Sequence, residues 1–192
     1  MNYLIPNTLR LAIASAAISI SAYAVKPTAG YVDFGKFSPS ASGREFVEVH
    51  VTSSIISMAA RLTQKSEPDV AELLRGLQLI QVNVIGLDDK NRADVEKRVK
   101  EIRAELDAKG WERVVTVQQK NEDVGIYIKT RGEEAVEGLV VTVLDGKGEA
   151  VLINIVGDIK PEKLALVGER LNIDPLKKFG PALKKQAAAD QK

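Results

Sequence analysis

The sequence predicts an α+β domain: one mostly antiparallel sheet of about six strands, with helices packed on one face at least. Three observations carry this. Alternating or β-branched runs recur six times along the chain. The last four follow one another with only short turn-forming connections between them. The helical stripes of the folded part fall mainly before those four, so strands and helices are segregated, as in an α+β fold.

The chain opens on a leader. Met1–Ala24 carries one positive charge, Arg10, then an apolar run Leu11–Ile20, then Ala22-Tyr23-Ala24. A basic start, a short apolar centre and small residues at the cut form the layout of a secretory signal peptide. A membrane span takes about 20 apolar residues, and Leu11–Ala24 is shorter. The expected mature chain starts at Val25 and resides in the periplasm or is secreted, with no transmembrane span after cleavage. Acylation at the cut would need a cysteine, and the chain has none.

Val25–Arg44 is rich in Pro, Gly and Ser, which break regular structure. It reads as a linker or as a tail laid over the fold, with Tyr31, Phe34 and Phe37 available to pin it. The single folded domain is expected over residues 45–176.

Phe46–Val51 alternates and predicts a strand, with Val47, Val49 and Val51 on one face and Phe46, Glu48 and His50 on the other. Ser53 or Ser54 then caps a helix whose apolar side is Ile55, Met58, Ala59 and Leu62. Ser66-Glu67-Pro68-Asp69 starts a second helix, with Pro in its first turn. Val70, Leu73, Leu74 and Leu77 mark its buried side.

Leu79–Ile85 is β-branched and predicts a strand ended by Gly86. Asn91 is placed to cap the clearest helix, Arg92–Lys109, whose Val95, Val99, Ile102 and Leu106 form a single stripe. Asp94 with Arg98, and Glu96 with Lys100, have the favourable order for helix ion pairs. Gly110 stops this helix.

Four strands follow: Glu112–Gln119, Gly125–Thr130, Val136–Leu144 and Ala150–Val156. The third and fourth are apolar on both faces, so either the protein or a partner must cover the second face. Pro161 opens a last helix with Leu164, Val167 and Leu171 inward. Lys177–Lys192 is a basic flexible tail in which Lys177, Lys178, Lys184 and Lys185 cluster. A faint echo links Gln81–Gly86 to Leu152–Gly157, each a strand ending in Gly before an acid.

Composition narrows function. Removing 24 of 192 residues leaves 168, enough for one domain with its own core. Arg10 is the only charge lost, so the whole-chain net charge of +1 falls to zero. A neutral chain lacks the basic excess of a general nucleic-acid binder. Without cysteine there are no disulfides, thiol chemistry or thiolate zinc sites.

The search for chemistry finds little. His50 is the only histidine, and a general base needs an oriented partner. No Gly-x-Ser-x-Gly is present. Asp88, Asp89 and Asp158 follow the two echoed glycines and would form a hard-cation site if they converged; the plainer role is compensation of helix starts. Gly146-x-Gly148 is a hairpin turn, because a strand follows it. No catalytic residue and no cofactor is expected.

Phe46-Val47-Glu48-Val49-His50-Val51, Leu73-Leu74-Arg75-Gly76-Leu77, Gly110-Trp111-Glu112-Arg113-Val114-Val115 and Val151–Ile159 together resemble the bacterial family called domain of unknown function 4252. The likeness spans about Phe46–Leu176. It implies an exported protein of Gram-negative bacteria, some members of which lie near envelope-signalling regulators. It supplies no activity and no functional residues.

The functional expectation is a non-enzymatic periplasmic binding module. Its contact surface is placed on the doubly apolar strands, around Val140, Thr142, Leu152 and Asn154. The partners in view are an envelope protein, a small ligand or a second copy in a homodimer. Metal-assisted hydrolysis at Asp88, Asp89 and Asp158 is the competing reading from another class.

Overall fold

A computed structural model describes residues 28–160 together with Lys163 and Leu166. The leader, most of the last helix and the basic tail lie outside the described residues. Six strands form one antiparallel sheet in the order β1-β2-β6-β5-β4-β3. They are β1 (Phe46–Thr52), β2 (Leu77–Gly86), β3 (Glu112–Gln119), β4 (Glu122–Arg131), β5 (Ala135–Asp145) and β6 (Glu149–Ile159). Between them run α1 (Ser53–Thr63), α2 (Pro68–Gly76) and α3 (Arg92–Ala108).

The meander β3–β4–β5–β6 arises from the expected turns. β2 then adds beside β6, and β1 pairs with β2 to close the order. Because every pair is antiparallel, alternate side chains line up across the sheet. One transverse row reads Val47, Val84, Val151, Val143, Val124 and Val117, a valine from each strand in turn. The neighbouring row is Val49, Val82, Ile153, Val141, Ile126 and Val115. This face packs against Ile56 of α1 and Leu73 of α2.

The opposite face is covered by α3 and by residues 30–37. Val95, Val99, Ile102 and Leu106 of α3 are buried against Ile85, Tyr127, Val140, Ala150 and Leu152. Each such aliphatic burial contributes about 1.5–3 kcal/mol. The helices therefore divide between both faces, and this is why β5 and β6 are apolar on both sides. The helix ends where Gly110 turns at φ +70°, and Lys129 Nζ donates to the carbonyls of Lys109 and Gly110 at 2.8 and 3.1 Å.

The glycine-rich segment before β1 is a strap rather than a spacer. Gly30, Val32 and Phe34 alternate inward, Phe34 with no exposure at all. Phe37 packs at its margin, whereas Tyr31 points to solvent. Gly30 crosses β5 so closely that a Cβ there would collide with the Glu137 carbonyl and the Gly138 backbone.

Two local expectations change. In α1 the buried residues are Ile56 and Ala60, not the stripe Ile55, Met58 and Leu62. In α3 the ion pairs are Arg92–Glu96, Lys97–Glu101, and Arg98 with Glu101 and Glu105, so Arg98 turns away from Asp94. Arg98 is drawn instead to the strap, where it donates to the carbonyls of Phe34 and Asp33 at 3.0 Å each.

Candidate functional site

The surface expected around Val140, Thr142, Leu152 and Asn154 does not exist as a surface. All four side chains have zero exposure. Val140 and Leu152 lie under α3 and the strap. The two polar members are consumed internally. Asn154 Oδ1 accepts the Val32 N–H at 3.0 Å, and its Nδ2 donates to the carbonyls of Gly30 and Leu139 at 3.0 and 3.2 Å. Thr142 Oγ1 accepts from Arg103 Nε at 3.0 Å and donates to the Gly125 carbonyl at 3.3 Å. Arg103 Nη1 also donates to both oxygens of Asp123, at 2.9 and 3.0 Å. Asn154 thus anchors the strap and Thr142 anchors α3.

The three aspartates are dispersed. β2 and β6 run antiparallel, with Gly86 opposite Glu149 and Leu77 opposite Gly157. The two echoed glycines therefore lie at opposite ends of the sheet, about 30 Å apart along the strands at about 3.3 Å per residue. Asp88 accepts the N–H groups of Lys90, Asn91 and Ser42 at 2.9, 3.1 and 3.1 Å. Asp158 instead pairs with Arg131 at 2.8 Å. Among the described residues no group of three metal-ligating side chains comes together. The loop geometry around Asp88 is structural: Asn91 gives no side-chain cap to α3, but its Oδ1 accepts the Asp88 N–H at 2.8 Å and its Nδ2 donates to the Gly86 carbonyl at 3.0 Å.

The carboxyl of Asp88 sits below its ordinary range. Its partly buried position opposes the charge, and the N–H groups of Lys90, Ser42 and Asn91 together outweigh that. The ammonium of Lys160, hydrogen-bonded at 2.8 Å, and that of Lys163 likewise hold Glu72 low. These three residues line a small concavity of about 120 Å³ beside Gly76 and Asp158. A wider one of about 430 Å³ lies between the β3–β4 and β5–β6 turns, lined by Lys120, Asn121, Glu122, Asp145 and Lys147. Neither brings a nucleophile within reach of a base.

What the structure does present is one apolar margin. Five large hydrophobic residues are exposed in the described chain, and four of them, Val49, Ile55, Met58 and Leu62, fall in β1 and α1. At 100° per residue, the apolar arc of α1 runs from Met58 through Leu62, Ile55 and Ala59 to Ile56 and Ala60. Packing on α2, β1 and β2 uses the half that holds Ile56 and Ala60. The other half stays in solvent, with Leu62 exposed by 78%. The apolar side expected from the sequence, Ile55, Met58, Ala59 and Leu62, leaves out Ile56 and Ala60, the two residues that face inward.

β1 is also an edge of the sheet, and its pairing with β2 is regular over all seven residues. The far edge, β3, is interrupted by a bulge between Arg113 and Val115. There Arg113 pairs with Asp107 at 2.6 Å and lies over the Tyr127 ring. Bulges and charges guard an edge, and β1 carries no bulge. His50 is on this edge of the described sheet, exposed and opposite Gln81. Beside it Glu48 accepts a hydrogen bond from Asn83 Nδ2 at 3.1 Å.

A profile of the family described as Domain of unknown function (DUF4252) matches residues 41–167. The chain belongs to that family. No curated protein and no solved structure matches it. The DUF4252 match includes every strand and helix named above, and with them the whole β1–α1 margin. It begins after Phe34 and Phe37, so the inner part of the strap lies outside the matched DUF4252 region. No described helix is long and apolar enough to cross a membrane.

Proposed function

We propose that this protein is an exported, non-enzymatic interaction module that works by contact with another polypeptide at the β1–α1 margin. The observation that carries the reading is the concentration of exposed large apolar residues in two consecutive elements, Val49 on the edge strand β1 and Ile55, Met58 and Leu62 on α1. Exposed apolar side chains concentrated in one place mark a contact surface more often than scattered ones do. The leader at residues 1–24 supports export, and the neutral charge of the remainder argues against nucleic acid as the partner.

The test is a photo-crosslinking residue at Met58 in intact cells, compared with one at Glu101 on the exposed side of α3. A defined adduct from position 58 and none from position 101 is the expected result. Its loss in the Ile55→Ser, Leu62→Ser variant, with the fold retained by circular dichroism, would complete the case. Equal labelling at both positions would overturn it. Export is checked separately by the N-terminus of the protein in the periplasmic fraction, expected at Val25; recovery from the cytosol with residues 1–24 attached would refute it.

A further inference from the structure

We propose that the occupant of this margin is a second copy of the same chain, joined edge to edge through β1 in one particular register. This rests on the interaction reading above and names its partner. The Gly86 N–H donates to the Glu45 carbonyl at 2.7 Å, so the pair Glu45–Gly86 is a hydrogen-bonded one. Hydrogen-bonded and non-bonded pairs alternate along an antiparallel ladder. Residues 47, 49 and 51 therefore spend their backbone groups on β2. The N–H and C=O groups of Phe46, Glu48 and His50 and the N–H of Thr52 point away from the sheet, with no strand on them among the described residues; the Thr52 carbonyl, at the N-cap, opens α1.

Two copies related by a twofold axis through Val49 satisfy the outward groups of Glu48 and His50. Glu48 of each copy then stands opposite His50 of the other as a hydrogen-bonded pair, and Phe46 opposite Thr52, whose N–H alone is available to it. The seven residues of β1 overlap completely. Sliding by one step in either direction that keeps the faces aligned sets Glu48 against Glu48 or His50 against His50, and shortens the overlap. Only the centred register is both full length and complementary in hydrogen bonding, an imidazole donor facing each carboxylate. An imidazole N–H donates to a carboxylate in either of its protonation states. Asn83 already holds Glu48 in place for that contact.

The same axis continues the aliphatic face. It stands perpendicular to the sheet, so both copies present that face on one side. The row through Val49 and Val82 runs on into its twin, and the valine row through Val47 meets the row through Val51 and Ile80. Val49 meets Val49 as a non-bonded pair and loses its exposure. The two α1 helices, each against its own β1 and β2, lie on that side of the joined sheet. The product is a continuous antiparallel sheet of twelve strands with closed twofold symmetry.

The absence of cysteine gives a clean test. In this register the two Val49 Cα atoms lie about 4.5 Å apart, within disulfide reach. The full chain carrying Val49→Cys is expected to oxidise to a covalent dimer. A mixture of Val47→Cys and Val51→Cys chains should crosslink as a heterodimer while Val47→Cys alone does not. Sedimentation of the unmodified chain should show a dimer at micromolar concentration. His50→Glu should weaken that dimer about tenfold through two like-charge pairs. The exchange variant Glu48→His, His50→Glu should restore it, because the cross-strand pair is only reversed. A strict monomer without a Val49→Cys disulfide overturns the proposal, and so does a dimer indifferent to His50→Glu. A monomer that still forms a defined adduct with a different protein from position 58 ends the self-pairing and leaves the interaction reading standing. A monomer with no adduct ends both.

Discussion

The side-chain amide of Asn154 holds the backbone of Val32, its Oδ1 accepting the Val32 N–H at 3.0 Å across 122 residues of chain. The same amide donates to Gly30 and Leu139, so one buried side chain fixes the strap to two adjacent strands. Asn154→Ala removes three hydrogen bonds at once and leaves buried backbone groups unpaired. A loss of about 2–4 kcal/mol is expected in urea unfolding. Hydrogen exchange at the Val32 amide should rise well beyond what the global loss explains.

The strap itself should behave as core. Phe34→Ala should cost about 3–4 kcal/mol, the usual cost of truncating a fully buried ring. Tyr31→Ala, at an exposed position, should cost less than about 1 kcal/mol. Equal, small effects at both positions in thermal or chemical unfolding would show that residues 28–44 are a linker after all.

Arg103 couples α3 to β4 and β5 through Asp123 and Thr142. Thr142→Val keeps the shape but leaves the guanidinium without its Nε partner, at a cost of about 1–3 kcal/mol. A double-mutant cycle of Thr142→Val with Arg103→Met should return a coupling of about 1 kcal/mol or more. A coupling near zero would mean that Arg103 is held by Asp123 alone.

Acid should loosen the β2–α3 loop first. Asp88 has its carboxyl lowered by three N–H donors, so its contribution is present above the unfolded-state value near 4 and is lost as pH falls through the lower folded value. Glu72 acts in the same direction through Lys160 and Lys163. Asp88→Asn should flatten part of the acid transition followed by circular dichroism. Asp158→Asn, which removes only an exposed pair with Arg131, should leave the urea-unfolding midpoint nearly unchanged. Magnesium or calcium should stabilise neither variant nor the parent.

Much of the fold was legible because its elements are strongly periodic. β3 was bounded at Glu112–Gln119 and α3 at Arg92, and the helix stripe Val95, Val99, Ile102 and Leu106 is buried as its spacing demands. The two-sided apolarity of β5 and β6 correctly required a second cover. Its identity was hidden, because the strap carries no periodicity and its order comes from a distant side chain. Asn154 and Thr142 held a signal that was misread: a small polar residue inside an otherwise apolar strand is satisfied internally more often than it is offered outward. The aspartates misled for a topological reason. Two similar strand–glycine–acid strings look alike in sequence whether their strands run parallel or antiparallel, and here the antiparallel choice sends their ends apart. The exposed margin of α1 was hidden, since the stripe Ile55, Met58, Ala59 and Leu62 has helical spacing and one helix period cannot say which part of an apolar side its neighbours will cover.

The strap also dictates the order in which this molecule can be completed. Gly30 and Val32 are among the earliest described residues, yet their seat is on β5 and β6, the last strands to be made. A polypeptide delivered from its amino end has no seat for Phe34 until the final hairpin arrives. Its hydrophobic interior therefore stays unclosed throughout delivery and shuts in one late, long-range step, the kind of connectivity that slows folding and lengthens exposure to helper proteins.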